Sequence, residues 1–254
     1  MRKIAIPAEV PATSLETKKS LLQKASRKVQ AAPIRVTFLQ RGTGKGSGPG
    51  PLAKLVSNHD DLALDLYLFV LAMASSHPYA IRRSASVLAR ALARQGKEPV
   101  GPPTISKAWA RLQNLQLITR SRFGRIAEIT LLREDGTGVP YTHPGASVPA
   151  ERYLKLPFAY WHDDWNATLS LPEKAVLLIG LTLGEEFRLP IERASTWYGL
   201  SADTINRGLD DLRRNGLLRY TDTPKKAPLS PKGYTLERRY TLQGPFTRAK
   251  PVTP

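Results

Sequence analysis

The 254-residue chain has no cysteine, which removes disulfides, thiolate zinc sites, iron–sulfur clusters and cysteine nucleophiles together. Stability must come from packing. Histidine is scarce: His59, His77, His143 and His162 are scattered, each beside Pro or Asp. No His-x-His metal pair and no His-x-x-Arg box exists, so histidine-based nuclease and recombinase chemistries lack their residues. A phosphate-binding loop is also missing. Gly42-Thr43-Gly44-Lys45-Gly46 lacks the Gly-x-x-x-x-Gly-Lys-Ser/Thr spacing and has no strand-to-helix frame. The acid pairs Asp60-Asp61, Asp163-Asp164 and Asp210-Asp211 are adjacent in sequence, hence on different helix faces, and read as caps or surface charge. No catalytic residue, metal or cofactor is expected. No apolar run reaches the roughly 18 residues of a membrane span, and the N-terminus lacks the apolar core of a secretion signal. A cytoplasmic protein without a membrane partner is expected.

Acidic residues are outnumbered. Against 21 Asp and Glu stand 38 Lys and Arg, for a formal net charge of +17 and a pI near 10.3, which suits a polyanionic partner and nucleic acid first. The excess is uneven: residues 1–57 hold eleven basic residues and only Glu9 and Glu16 as acids. Leu15, Leu22, Ala25 and Val29 give this segment a weak helical stripe, and Ile34, Val36 and Phe38 alternate like a short strand. Residues 42–51 then read as a flexible Gly/Pro linker. Residues 1–56 are therefore expected to form a basic arm, which either follows a DNA backbone or is a solvated tail.

The chain also repeats itself at a spacing of one hundred residues. Thr104-Ile105-Ser106-Lys107-Ala108-Trp109-Ala110-Arg111-Leu112, then Leu117-Ile118, aligns without a gap with Thr204-Ile205-Asn206-Arg207-Gly208-Leu209-Asp210-Asp211-Leu212, then Leu217-Leu218. Each copy follows an apolar helix and a shorter helix, and precedes a hairpin pattern. In the first copy the spacing predicts helices over 60–76 and 84–94, a short strand over 79–81 and a helix opening at Pro103-Thr104. Strands then flank a turn at Phe123-Gly124. In the second copy Ser170 and Glu173 predict a capping box, Phe187 begins a short strand, and Pro190 and Gly199 bracket a helix over 191–198. Ser201 caps the repeat helix, and strands from 217 and 234 enclose a wing with Lys225, Lys226 and Lys232. Ile105, Ala108, Trp109 and Leu112, like Ile205, Leu209 and Leu212, face the core.

The expected class is mainly α with small β-hairpins, an α+β arrangement of two units at 57–133 and 156–244. A Gly/Pro-rich connector at 134–155 joins them and a tail at 245–254 follows. Tyr153, Phe158, Tyr160, Trp161 and Trp165 form an aromatic entry to the second unit, suited to packing or to base stacking.

On these residues both units resemble winged helix-turn-helix DNA-binding domains. Single copies resemble those of bacterial transcription factors, and the tandem also resembles replication initiators of theta-replicating plasmids. The resemblance implies a third helix in the major groove and a wing on the backbone or minor groove. It nominates Thr104, Ser106, Lys107 and Arg111, with Thr204, Asn206 and Arg207, as readers of bases or adjacent phosphates. Arg122, Arg125, Lys225 and Lys226 would touch backbone. Asp210 and Asp211 depart from the pattern; they face a partner, accept from a cytosine amino group, or pair with Arg213 and Arg214. The partner implied is double-stranded DNA, with a homo-oligomer on DNA left open and a nucleoid-associated location. Transcriptional regulation leads, ahead of plasmid or mobile-element replication initiation or partition, and of a protein-binding adaptor.

Overall fold

Thr13 and Glu16 form a reciprocal capping box that satisfies two free N–H groups and starts helix α1 (Ser14–Lys24). The computed structural model describes residues 11–25, 27–42, 46–94, 96–145 and 151–247. Arg2, Lys3, Thr43 to Lys45, connector residues 146–150 and tail residues 248–254 lie outside them. After α1 come strand β1 (Ala31–Arg35), a small hairpin of β2 (Gln40–Arg41) and β3 (Gly48–Pro49), and helix α2 (Leu52–Ser57). Leu21, Leu22, Ile34, Phe38, Leu52 and Leu55 are buried.

This packing corrects the expectation of a basic arm and linker. Three of the cations counted toward the arm serve the interior. Lys18 is fully buried, paired with Asp164 and bonded to Asn166 Oδ1 at 3.1 Å. Arg27 donates to the carbonyls of Leu71 and Ala72 at 2.6 and 2.9 Å, closing the end of a helix described below. Arg35 reaches Glu134 at 2.6 Å, Glu151 at 2.8 Å and the Thr142 carbonyl at 2.8 Å. Burial opposes its charge, but the two carboxylates hold its pKa above the ordinary value.

The first unit begins with α3 (Asp61–Met73), whose residues from Ala63 to Ala72 are all buried. Strand β4 (Ala80–Arg82), α4 (Ala85–Ala91, capped by Ser84) and α5 (Pro102–Asn114) follow, then β5 (Ile118–Phe123) and β6 (Ile126–Leu131). The sheet order is β4-β6-β5. Next, β7 (Tyr153–Pro157) pairs antiparallel with β1, placing Ile34 opposite Leu154. Short helices α6 (Ala159–His162) and α7 (Trp165–Thr168) carry Tyr160, Trp161 and Trp165 of the aromatic entry, in which Phe158, Tyr160 and Trp161 are core and Tyr153 and Trp165 are half-buried. Trp161 is fully buried, with ring centroids 5.9 Å from Phe69 and from Phe158.

The second unit repeats the order of the first. Ser170 and Glu173 form the expected capping box at the start of α8 (Leu171–Thr182). Phe187 bridges to Tyr240 where the first unit has a strand. Then come α9 (Ile191–Tyr198), α10 (Ala202–Arg214, capped by Ser201), β8 (Leu218–Lys226) and β9 (Tyr234–Leu242). Gly199 ends α9 at φ 65°, and a side chain there would also strike Ala53 and Pro49 of the N-terminal segment.

The class is therefore mixed α and β, with ten α-helices and small antiparallel sheets among the described residues. The two units share one contiguous apolar cluster that runs from Leu21 to Phe246. Lys174 of α8 crosses to Asp61 at 2.7 Å and Asp65 at 2.8 Å on α3. Residues 134–145 and 151–155 are no loose connector, since Glu134 is buried and β7 is paired. The tail also begins inside the fold, with Phe246 buried against Tyr160 and Trp165.

Candidate nucleic-acid interface

Helix α5 turns Ile105, Ala108, Trp109 and Leu112 inward, which leaves Thr104, Lys107 and Arg111 exposed and Ser106 half-buried. Side chains alternate across a strand. The register Ile118↔Leu131, Arg120↔Ile129 and Arg122↔Ala127 therefore places Arg120 and Arg122 on the sheet face that carries the buried Ile118, Ile129 and Leu131. Arg120 reaches along that face to α5, donating to Ser106 Oγ at 3.0 Å. Helix and hairpin thus present one side, with Lys107, Arg122 and Arg125 exposed on it or at its edge. Between Pro102 and Leu131 the sequence has five cations and only Glu128 as an acid. Glu128 lies on the other face, paired with Arg82, whose guanidinium also covers the Phe123 ring at 3.9 Å.

Arg111 has a different position from the one expected of a base reader. Its Nη1 is 2.9 Å from Asp60 Oδ1, so its charge is committed to the start of α3. Asp60 lies fifty-one positions away in sequence, beyond the reach of any local pattern.

The second unit spends its cations differently. On α10, Arg207 pairs with Asp203 at 2.9 Å, Arg213 with Asp210 at 3.8 Å, and Arg214 with Asp211. Of the three pairings left open for Asp210 and Asp211, the structure contains the intrahelical one. Asn206 is exposed and uncharged, and Thr204 is half-buried, its hydroxyl 2.8 Å from that of Ser201. The outward face of α10 is thus polar and nearly neutral.

Charge moves instead to the β8–β9 hairpin. Lys225 and Lys226 occupy the end of a strand rather than a loop, and alternation sends them to opposite faces. Lys225 lies 3.8 Å from Glu237, on the face with Arg239. Lys226 has no acidic partner among the described residues and shares a face with Tyr234 and Leu236. Arg219 and Lys232 are exposed and likewise unpaired; neither was among the expected contacts, although Lys232 was visible as part of a basic wing.

Among the described residues no group of three or more His, Asp or Glu side chains could hold a metal ion, and no helix is long and apolar enough to cross a membrane. Comparison with protein families, with curated proteins and with solved structures found no match to this chain.

Proposed function

We propose that this chain is a non-enzymatic, sequence-specific double-stranded DNA-binding protein built from two winged helix-turn-helix units, and that it regulates transcription. The observation that carries the reading is the first unit's convergence of a polar helix face with an arginine-lined hairpin on one side. In this reading α5 and α10 lie in major grooves and the hairpins follow phosphates. Lys107 and Asn206 are the base readers of choice, Lys toward guanine and Asn toward adenine. Thr104, Ser106, Thr204 and Arg207 position them, and Arg122, Arg125, Lys225 and Lys226 meet the backbone.

A specific observation favours a second reading, initiation of replication on a plasmid or mobile element. One core and the pairing of Lys174 with Asp61 and Asp65 fix the two units to each other, so a single chain spans a composite site of set spacing, which suits arrays of repeats. Mapping bound DNA across the host genome separates the two. Scattered promoter-proximal sites fit a regulator, and one cluster of direct repeats beside the protein's own gene fits an initiator. Enrichment of no sequence overturns both and leaves the winged helices to a protein partner.

A further inference from the structure

The second hairpin is longer than anything in the core requires. Its base is buried through Leu218, Tyr240 and Leu242. From the pair Thr221↔Arg239 to the pair Lys226↔Tyr234 it carries six more residue pairs, about 20 Å of ribbon at roughly 3.4 Å per residue. A two-stranded ribbon is marginal alone in water, and this one is braced along its length. Arg238 grips Asp222 with two bonds of 2.7 Å and covers the Tyr220 ring at 4.0 Å. Glu237 accepts from Arg239 at 3.0 and 3.1 Å and lies 3.1 Å from Arg188.

At the end, residues 227–233 form a closed turn. Ala227 N–H donates to the Gly233 carbonyl, Ser230 N–H to the Ala227 carbonyl and Gly233 N–H to the Ser230 carbonyl, each at 2.9 Å. The Ser230 hydroxyl donates to the Tyr234 carbonyl at 2.9 Å. This scaffold holds Leu229 fully exposed beside exposed Pro228. Lys226 and Lys232 stand on either side of the turn without acidic partners among the described residues. The first hairpin differs: it is shorter, its turn residues Gly124 and Arg125 are not apolar, and the Arg82 guanidinium lies 3.9 Å over the ring of the flanking Phe123.

An apolar tip held out by a stiff ribbon and flanked by unpaired lysines is complementary to a base step between two phosphate backbones. Such steps take apolar wedges from the minor-groove side, unstack in part, and kink the duplex by about 20 to 90°. The groove is only about 6 Å wide, so the ribbon enters as the step opens. We infer that the β8–β9 hairpin is a DNA-bending arm, with Leu229 as the wedge, Pro228 beside it, and Lys226 and Lys232 on the flanking phosphates. The inference rests on the DNA-binding reading above and assigns the arm's substrate, a deformable step in the minor groove.

The test uses the full chain and a duplex of about 30 bp recovered by selection from a random pool, carrying a donor and an acceptor dye at its ends. Binding of the unaltered protein should raise energy transfer. Leu229→Ala should still bind but return the transfer to that of the free duplex, whereas Leu229→Phe, which keeps an apolar wedge, should retain the bend. Lys226→Ala with Lys232→Ala should weaken binding and flatten its salt dependence. Leu229 touches no core, so the melting temperature should not move in any of these variants. Bending that is unchanged in Leu229→Ala, or absent in the unaltered protein, overturns the arm while leaving DNA binding intact. Recovery of no duplex at all overturns both.

Discussion

Gly208 sits in the middle of α10, where glycine costs about 1 kcal/mol relative to alanine. A Cβ there would lie 2.6 Å from the Pro172 carbonyl oxygen and 2.6 Å from Val176 Cγ2 of α8, so the glycine lets two helices approach. Its counterpart in the repeat is Ala108, which is buried without difficulty. Gly208→Ala should destabilise the protein by about 1 to 3 kcal/mol through overpacking, read as a lower midpoint in denaturant; an unchanged midpoint would refute the close contact. The cations carry a second expectation. Lys107→Ala should cost about 1 to 3 kcal/mol of specific binding and relax preference at one base position, while Arg111→Ala, already committed to Asp60, should leave the preferred sequence unchanged. Altered sequence preference on replacing Arg111 would restore it as a reader. Periodicity placed both residues on the outward face of a helix; which of them was free depended on a partner brought near only by folding.

Helices α3 and α8 show what periodicity did and did not convey. The position of α3 and the capping box of α8 were legible, as were α9, α10 and the pairing partners of both hairpins. The second apolar face of α3 was in plain view in Leu64, Leu68 and Leu71, and a helix apolar all round must be covered all round. Its cover is the N-terminal segment, whose lysines and arginines resembled a solvated arm because their partners are distant in sequence. Asp65 on α3 gives this junction a pH signature. Burial raises its carboxyl to about 6 from 3.8, opposed by Lys174 and assisted by Asp61. The folded state thus binds this proton more tightly than the unfolded chain. The group's contribution to stability is full below pH 3.8 and is lost as pH rises through about 6, amounting to roughly 3 kcal/mol. Denaturant melts of the native chain and Asp65→Asn at several pH values between about 4 and 7 should show the native chain losing ground to the variant as pH rises. A difference independent of pH would contradict the assignment.

In the proposed reading, the molecule holds two readers in one body, since both units share one core. Lys107, Arg122, Arg125, Arg219, Lys226 and Lys232 have no hydrogen-bonded or acidic partner among the described residues. If all of these but the base reader Lys107 meet phosphates, the logarithm of the binding constant should fall against that of salt with a slope of about −4.5, and titration at several salt concentrations measures it. A slope near zero would remove the backbone contacts. The most direct test of two joined readers is footprinting of the full chain on its selected duplex, before and after inserting about 5 bp, half a helical turn, between the protected patches. Two patches, with affinity lost on insertion because the shared core cannot rotate one unit to follow its groove, is the expected result. A single patch, or binding indifferent to the insertion, would contradict it.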